Sequence, residues 1–121
     1  MDELIARLVA NVGVDRTAAE KAVAIIFDFL RKEGPADKVD ALMARLPGAQ
    51  EFMQAHEADV SGGMFAMGGI MGAGTKMMAA GLSMGQVQGV TKEVIAFARE
   101  RGGEDAIGEI VGAIPGLSQF V

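Results

Sequence analysis

Apolar residues recur along this chain at intervals of three and four, and nowhere do they alternate with polar ones over a useful length. The first spacing puts side chains on one face of a helix, whereas alternation would mark a half-buried strand. Leu4, Ile5, Leu8 and Val9 outline a first helix. Ala22, Ile25, Ile26, Phe29 and Leu30 outline a second, with Ala19, Val23 and Phe27 widening its apolar face. Val39, Leu42, Met43 and Leu46 give a third, and Phe52 with Met53 a short fourth. Further on, Val87, Val90, Val94, Ile95, Phe97 and Ala98 form one stripe and Ile107, Ile110, Val111 and Ile114 another, before a last turn with Leu117 and Phe120. The pattern predicts an all-α fold.

The polar positions supply the ends of these helices. Thr17-Ala18-Ala19-Glu20 and Ser83-Met84-Gly85-Gln86 both read as capping boxes, in which a hydroxyl and the side chain three residues on satisfy free backbone N–H groups. Gly34 is expected just past the second helix in the left-handed region, and Pro35 in the first turn of the next. Gly102-Gly103 makes the corresponding break later, and Pro47-Gly48 and Pro115-Gly116 end the third and last stripes. Asp37 and Asp105 fall in first turns and Arg31 and Arg99 in last turns, where each charge suits the helix dipole.

The punctuation repeats. Displaced by 68 positions, residues 12–53 align with residues 80–121 without a gap. Gly13/Gly81, Phe29/Phe97, Arg31/Arg99, Gly34/Gly102, Asp37/Asp105, Pro47/Pro115, Gly48/Gly116 and Phe52/Phe120 are identical. Apolar positions such as Ile26/Val94, Val39/Ile107 and Leu42/Ile110 match between them. Glycines, prolines and core positions held in one register read as a duplication. The expected architecture is one domain over residues 1–121. It is a small multi-helix bundle of two pseudo-repeated helical units, 12–53 and 80–121, sharing one core and joined by a connector over 54–79.

Composition narrows the function. A chain of 121 residues suits a single domain, and 50% hydrophobic content is ample for a core. With no cysteine there are no disulfides and no thiolate metal sites. A net charge of −5, without any basic stripe, argues against nucleic-acid binding. Met1-Asp2-Glu3-Leu4 is acidic where an export signal is basic, so a cytoplasmic protein is expected. The longest uncharged run, Val60 to Thr75, has 16 residues and six glycines, too short and too flexible for a membrane span.

One segment stands apart. Residues 61–85 hold 8 of the 17 glycines and 6 of the 9 methionines. The duplication predicts a helix here, equivalent to the one before Val12. Helix propensity opposes it, because each interior glycine costs about 1 kcal/mol relative to alanine. The expectation is a mobile loop up to about Gly74 and a short helix over 76–80, with Gly68-x-x-x-Gly72 offering a close-approach surface if the front part is helical. Met64, Met67 and Met71 are soft ligands that suit Cu(I), with His56 near in sequence, but no cysteine or second histidine supports a metal site. A flexible methionine-rich surface also suits partner binding. Met64, Phe65, Met67, Ile70 and Met71 form the candidate interaction face.

No catalytic constellation emerges, and no cofactor is expected. His56 reads as a solvated residue at the polar end of a short helix, and Asp28 as an acid without a counterpart, since Ala96 takes the matching position. Phe29-Leu30-Arg31-Lys32-Glu33-Gly34 with Leu46-Pro47-Gly48, and residues 97–102 with Ile114-Pro115-Gly116, resemble bacterial YidB-like proteins and related helical domains of unknown function. The resemblance implies a compact helical fold and a bacterial origin, and it transfers no functional residue. The expected function is a non-enzymatic protein-interaction or oligomerisation module, acting through self-association or a protein partner. The alternative is a binder of a small apolar ligand or soft metal near the methionines.

Overall fold

In the computed structural model the protein is all-α. The structure describes residues 2–46, 48–56, 69–114 and 117, and gives only the helical course of 69–71. Seven helices occur among the described residues: α1 (Asp2–Asn11), α2 (Arg16–Glu33), α3 (Ala36–Arg45), α4 (Ala49–Ala55), α5 (Gly69–Ala79), α6 (Met84–Gly102) and α7 (Glu104–Ala113). The long helices α2 and α6 pack on each other at the centre. Both α1 and α5 bridge that pair, while α3 joins α2, α6, α7 and α4.

The buried side chains form one continuous core. Phe27 and Leu30 of α2, Leu4, Ile5 and Leu8 of α1, Leu42 of α3, Ile95 of α6 and Ile107 and Ile110 of α7 lie at its centre, out of contact with solvent. The stripes read from the sequence supply these positions, with one correction. Val9 of α1 is 41% exposed, so that helix buries a narrower face than its four apolar residues suggest.

Two ionic ties fasten α1 to α6. Arg7 meets Glu100 at 2.8 Å and Glu93 at 3.5 Å, and Arg101 pairs with Glu3. Both guanidiniums lie against the Phe97 ring, at 5.7 and 5.2 Å from its centroid. The hydrogen bond to Glu100 raises the Arg7 pKa above its ordinary value, outweighing the opposing effect of burial. A raised cation contributes stability at every pH below its unfolded value, so Arg7 stays charged throughout the accessible range.

Helix ends differ from expectation at three places, and also at Pro35, which is the N-cap of α3 and precedes its first turn. α2 begins at Arg16 with Asp15 as N-cap and no side-chain cap bond, so the Thr17 box does not form. Glu20 pairs instead with Arg16 at 3.3 Å, one turn back along the same helix. The Ser83 box is present in full: Ser83 Oγ accepts from the Gln86 N–H, and Gln86 Oε1 accepts from the Ser83 N–H. Gly34 is extended (φ −97°), not left-handed. Its small size is what counts, since a Cβ there would lie 2.7 Å from the Leu30 carbonyl oxygen and 3.3 Å from Ile114.

The third difference concerns the Gly/Met segment. Residues 69–79 form an 11-residue helix, beginning well before the short helix expected over 76–80. Propensity loses to packing here: Ala73 and Met77 are buried, and α2 is the main neighbour. Gly72 is buried as well. The part of the expected loop before Gly69 lies outside the described residues.

The bounds of the helices recur at the 68-residue spacing. α2 starts at Arg16 and α6 at Met84, α3 spans Ala36–Arg45 and α7 Glu104–Ala113, and α1 and α5 end at Asn11 and Ala79. Gly13 and Gly81, in the turns before the two long helices, both have positive φ, +81° and +107°.

Candidate functional site

A partly enclosed apolar concavity lies between α2, α5 and α6. Ile26 and Phe29 come from the outer side of α2, Ala73, Met77 and Met78 from α5, and Met84, Val87 and Thr91 from α6, with Leu117 closing one side. The cavity volume is about 100 Å³. That is close to the size of engineered apolar cavities that stay dry and take up benzene-sized molecules.

Local sequence explains why these side chains meet. Met77 sits on the α5 face that packs on the core and is 3% exposed. Its neighbour Met78 is turned away by one helical step, at the edge of that face, and is 47% exposed. Met84 is the first residue of α6, held there by the Ser83 cap, and is 56% exposed. The two exposed thioethers therefore stand at the mouth, and the buried one lies within.

Among the described residues no charged side chain lines the cavity. The one buried polar side chain among the described residues that touches it is Thr91, whose hydroxyl donates to the Val87 carbonyl at 2.8 Å. That bond satisfies the hydroxyl inside its own helix, so the wall presents the threonine methyl group and hydrocarbon. Chemically the site can hold an uncharged apolar group. Among the described residues its lining has no carboxylate, imidazole, lysine or cysteine, and its hydroxyls are those of Thr75 and Thr91.

The candidate residues from the sequence are mostly not described. Met64, Phe65 and Met67 lie outside the described residues, and Ile70 and Met71 are placed only as part of the first turn of α5. Met77, Met78 and Met84 belong to the same Gly/Met stretch but were not singled out by spacing. Two signals mark them. Adjacent Met77 and Met78 point about 100° apart around a helix, which puts one nearer the edge of a narrow apolar face, and a large apolar residue directly after an N-cap has no role within its own helix.

His56 is less solvated than its polar surroundings suggest. It stacks on Phe52 at 4.4 Å between ring centroids, its Nε2 lies 3.9 Å from a Glu20 oxygen, and its side chain is 19% exposed. It therefore helps seat α4 on α2. Asp28 is paired with Lys32 at 3.0 Å, and Arg31 reaches Asp40 of α3 at 3.1 Å. Asp37 and Asp105 occupy first turns. Among the described residues no three His, Asp or Glu side chains gather closely enough to hold a metal ion. No described helix is long and apolar enough to cross a membrane. Comparison with protein families, with curated proteins and with solved structures returned no match.

Proposed function

We propose that this chain is a non-enzymatic interaction module, built on a duplicated YidB-like helical frame, whose contact region is the Gly/Met-rich stretch and the cavity at its end. The observation that carries this reading is the methionine-rimmed mouth. Two large thioether side chains stand exposed, at 47% and 56%, beside a cavity whose described lining is apolar but for two threonines. Unbranched and polarizable methionines adapt their shape to an incoming apolar surface at low cost. A second copy of the chain is the partner favoured here, with Met64, Phe65, Met67, Ile70 and Met71 supplying the remainder of the face.

Sedimentation tests it. Wild-type protein is expected to sediment as a species larger than the monomer. Replacing Met64, Phe65, Met67 and Met71 with Gln or Ser is expected to move it toward monomer. Monomeric behaviour of both forms over the concentration series would sink self-association.

A second reading is favoured by the enclosure of the cavity: binding of a small apolar ligand between α2, α5 and α6. Native mass spectrometry of freshly purified protein separates the two. A doubled mass supports assembly, and a co-purified extra mass supports a ligand.

A further inference from the structure

Five methionines have a described exposure, and Met53 is partly buried against the core. Met43 and Met77 are 4% and 3% exposed, inside the core. Met78 and Met84 are exposed and share the mouth of one apolar cavity. We propose that Met78 and Met84 are an oxidation site through which a hydroperoxide closes the cavity to apolar groups. The inference rests on the reading of that cavity as a binding surface.

The chemistry is a two-electron oxygen transfer. The thioether sulfur attacks the terminal oxygen of the hydroperoxide, the O–O bond breaks, and an S=O bond forms. The second oxygen leaves as water or an alcohol, and the sulfur is oxidised as the peroxide is reduced. Exposure decides which sulfurs react first, because the peroxide has to reach them through water.

The consequence follows from where the oxygen lands. A sulfoxide is a strong, chiral hydrogen-bond acceptor on what was an apolar side chain. At the mouth it is hydrated, so the fold tolerates it. An apolar group entering the cavity has to strip that hydration, and the Thr91 hydroxyl, spent on Val87, does not replace it. Two oxidised sulfurs side by side therefore turn an apolar entrance into a polar one while the core beneath is unchanged.

Trypsin makes the site selectivity measurable within one fragment, because residues 77–92, released by cleavage after Lys76 and Lys92, carry Met77, Met78 and Met84 together. Folded full-length protein is treated with dilute hydrogen peroxide, and fragment-ion masses locate each added oxygen. Met78 and Met84 are expected to oxidise about tenfold faster than Met77. Equal rates at the three positions overturn the proposal.

Binding of the uncharged apolar dye N-phenyl-1-naphthylamine supplies the second readout. Oxidation of wild-type protein is expected to weaken dye binding by roughly fivefold or more with an unchanged helical signal. The double variant Met78→Leu/Met84→Leu keeps the apolar rim and has no sulfur there, so peroxide is expected to leave its dye affinity intact. Dye loss in that variant equal to the loss in wild type overturns the proposal, as does an unchanged affinity in oxidised wild type. Failure of untreated wild-type protein to bind the dye instead refutes the binding reading of the cavity, and with it the functional consequence of oxidation.

Discussion

Gly34 and Gly102 close the two long helices, and each is held there by what stands opposite. A Cβ on Gly34 would press on the Leu30 carbonyl oxygen, which is fixed by its own hydrogen bond to the Gly34 N–H at 2.9 Å. A Cβ on Gly102 would land on the Cδ1 methyl of Leu42, which is itself buried in the core. Gly108 is the opposite case: it is exposed in the middle of α7 with open space where a Cβ would go. Gly34→Ala is therefore expected to cost about 1–3 kcal/mol through overpacking. Gly108→Ala is expected to gain about 0.5–1 kcal/mol through helix propensity. Urea unfolding followed by circular dichroism reads both signs. A neutral Gly34→Ala would show that the α2 terminus adjusts freely.

The two long helices begin in different ways even though their start positions match at the 68-residue spacing. α6 has a reciprocal box between Ser83 and Gln86, whereas α2 begins two residues earlier than its Thr17 box requires and leaves Thr17 exposed inside the helix. Arg16 draws Glu20 away from the position where it would close such a box. Ser83→Ala is expected to lose about 1 kcal/mol, the usual value of an N-cap hydroxyl, and Thr17→Ala to change stability by less than about 0.5 kcal/mol. Paired thermal melts distinguish them, and a larger loss at Thr17 would contradict the observed helix start. The Ser83 box was legible because its residues compete with no neighbour for the same bonds. The failure at Thr17 was not, since an i, i+4 partner one residue upstream decided it.

At the scale of the molecule, α1 and α5 each lie across both α2 and α6, and the buried residues form one core. No half of the chain can bury its own apolar faces without the other, because the residues that cover α2 come from α5 and α6 as well as from α1 and α3. Thermal unfolding is therefore expected to be a single transition, with calorimetric and van't Hoff enthalpies in agreement. Two resolved transitions would mean that the halves are stable separately. The same interlocking explains α5. Its glycines make a poor isolated helix, but Ala73 and Met77 have a place in a core already shaped by α2 and α6. Tertiary burial then outweighs local propensity.

What the sequence alone determined was the set of helices whose apolar residues repeat at three and four, together with their breaks at Gly34, Gly48 and Gly102-Gly103. Periodicity and glycine placement are local properties, and a chain carries them before it folds. The tertiary structure decided the rest. It recruited residues 69–79 into a helix, turned Val9 outward, seated His56 on Phe52, and brought Met78 of α5 beside Met84 of α6 at the mouth of a cavity. Each of these depends on which helix lies against which, and the 3.6-residue period of one helix carries no information about the neighbour that will cover it.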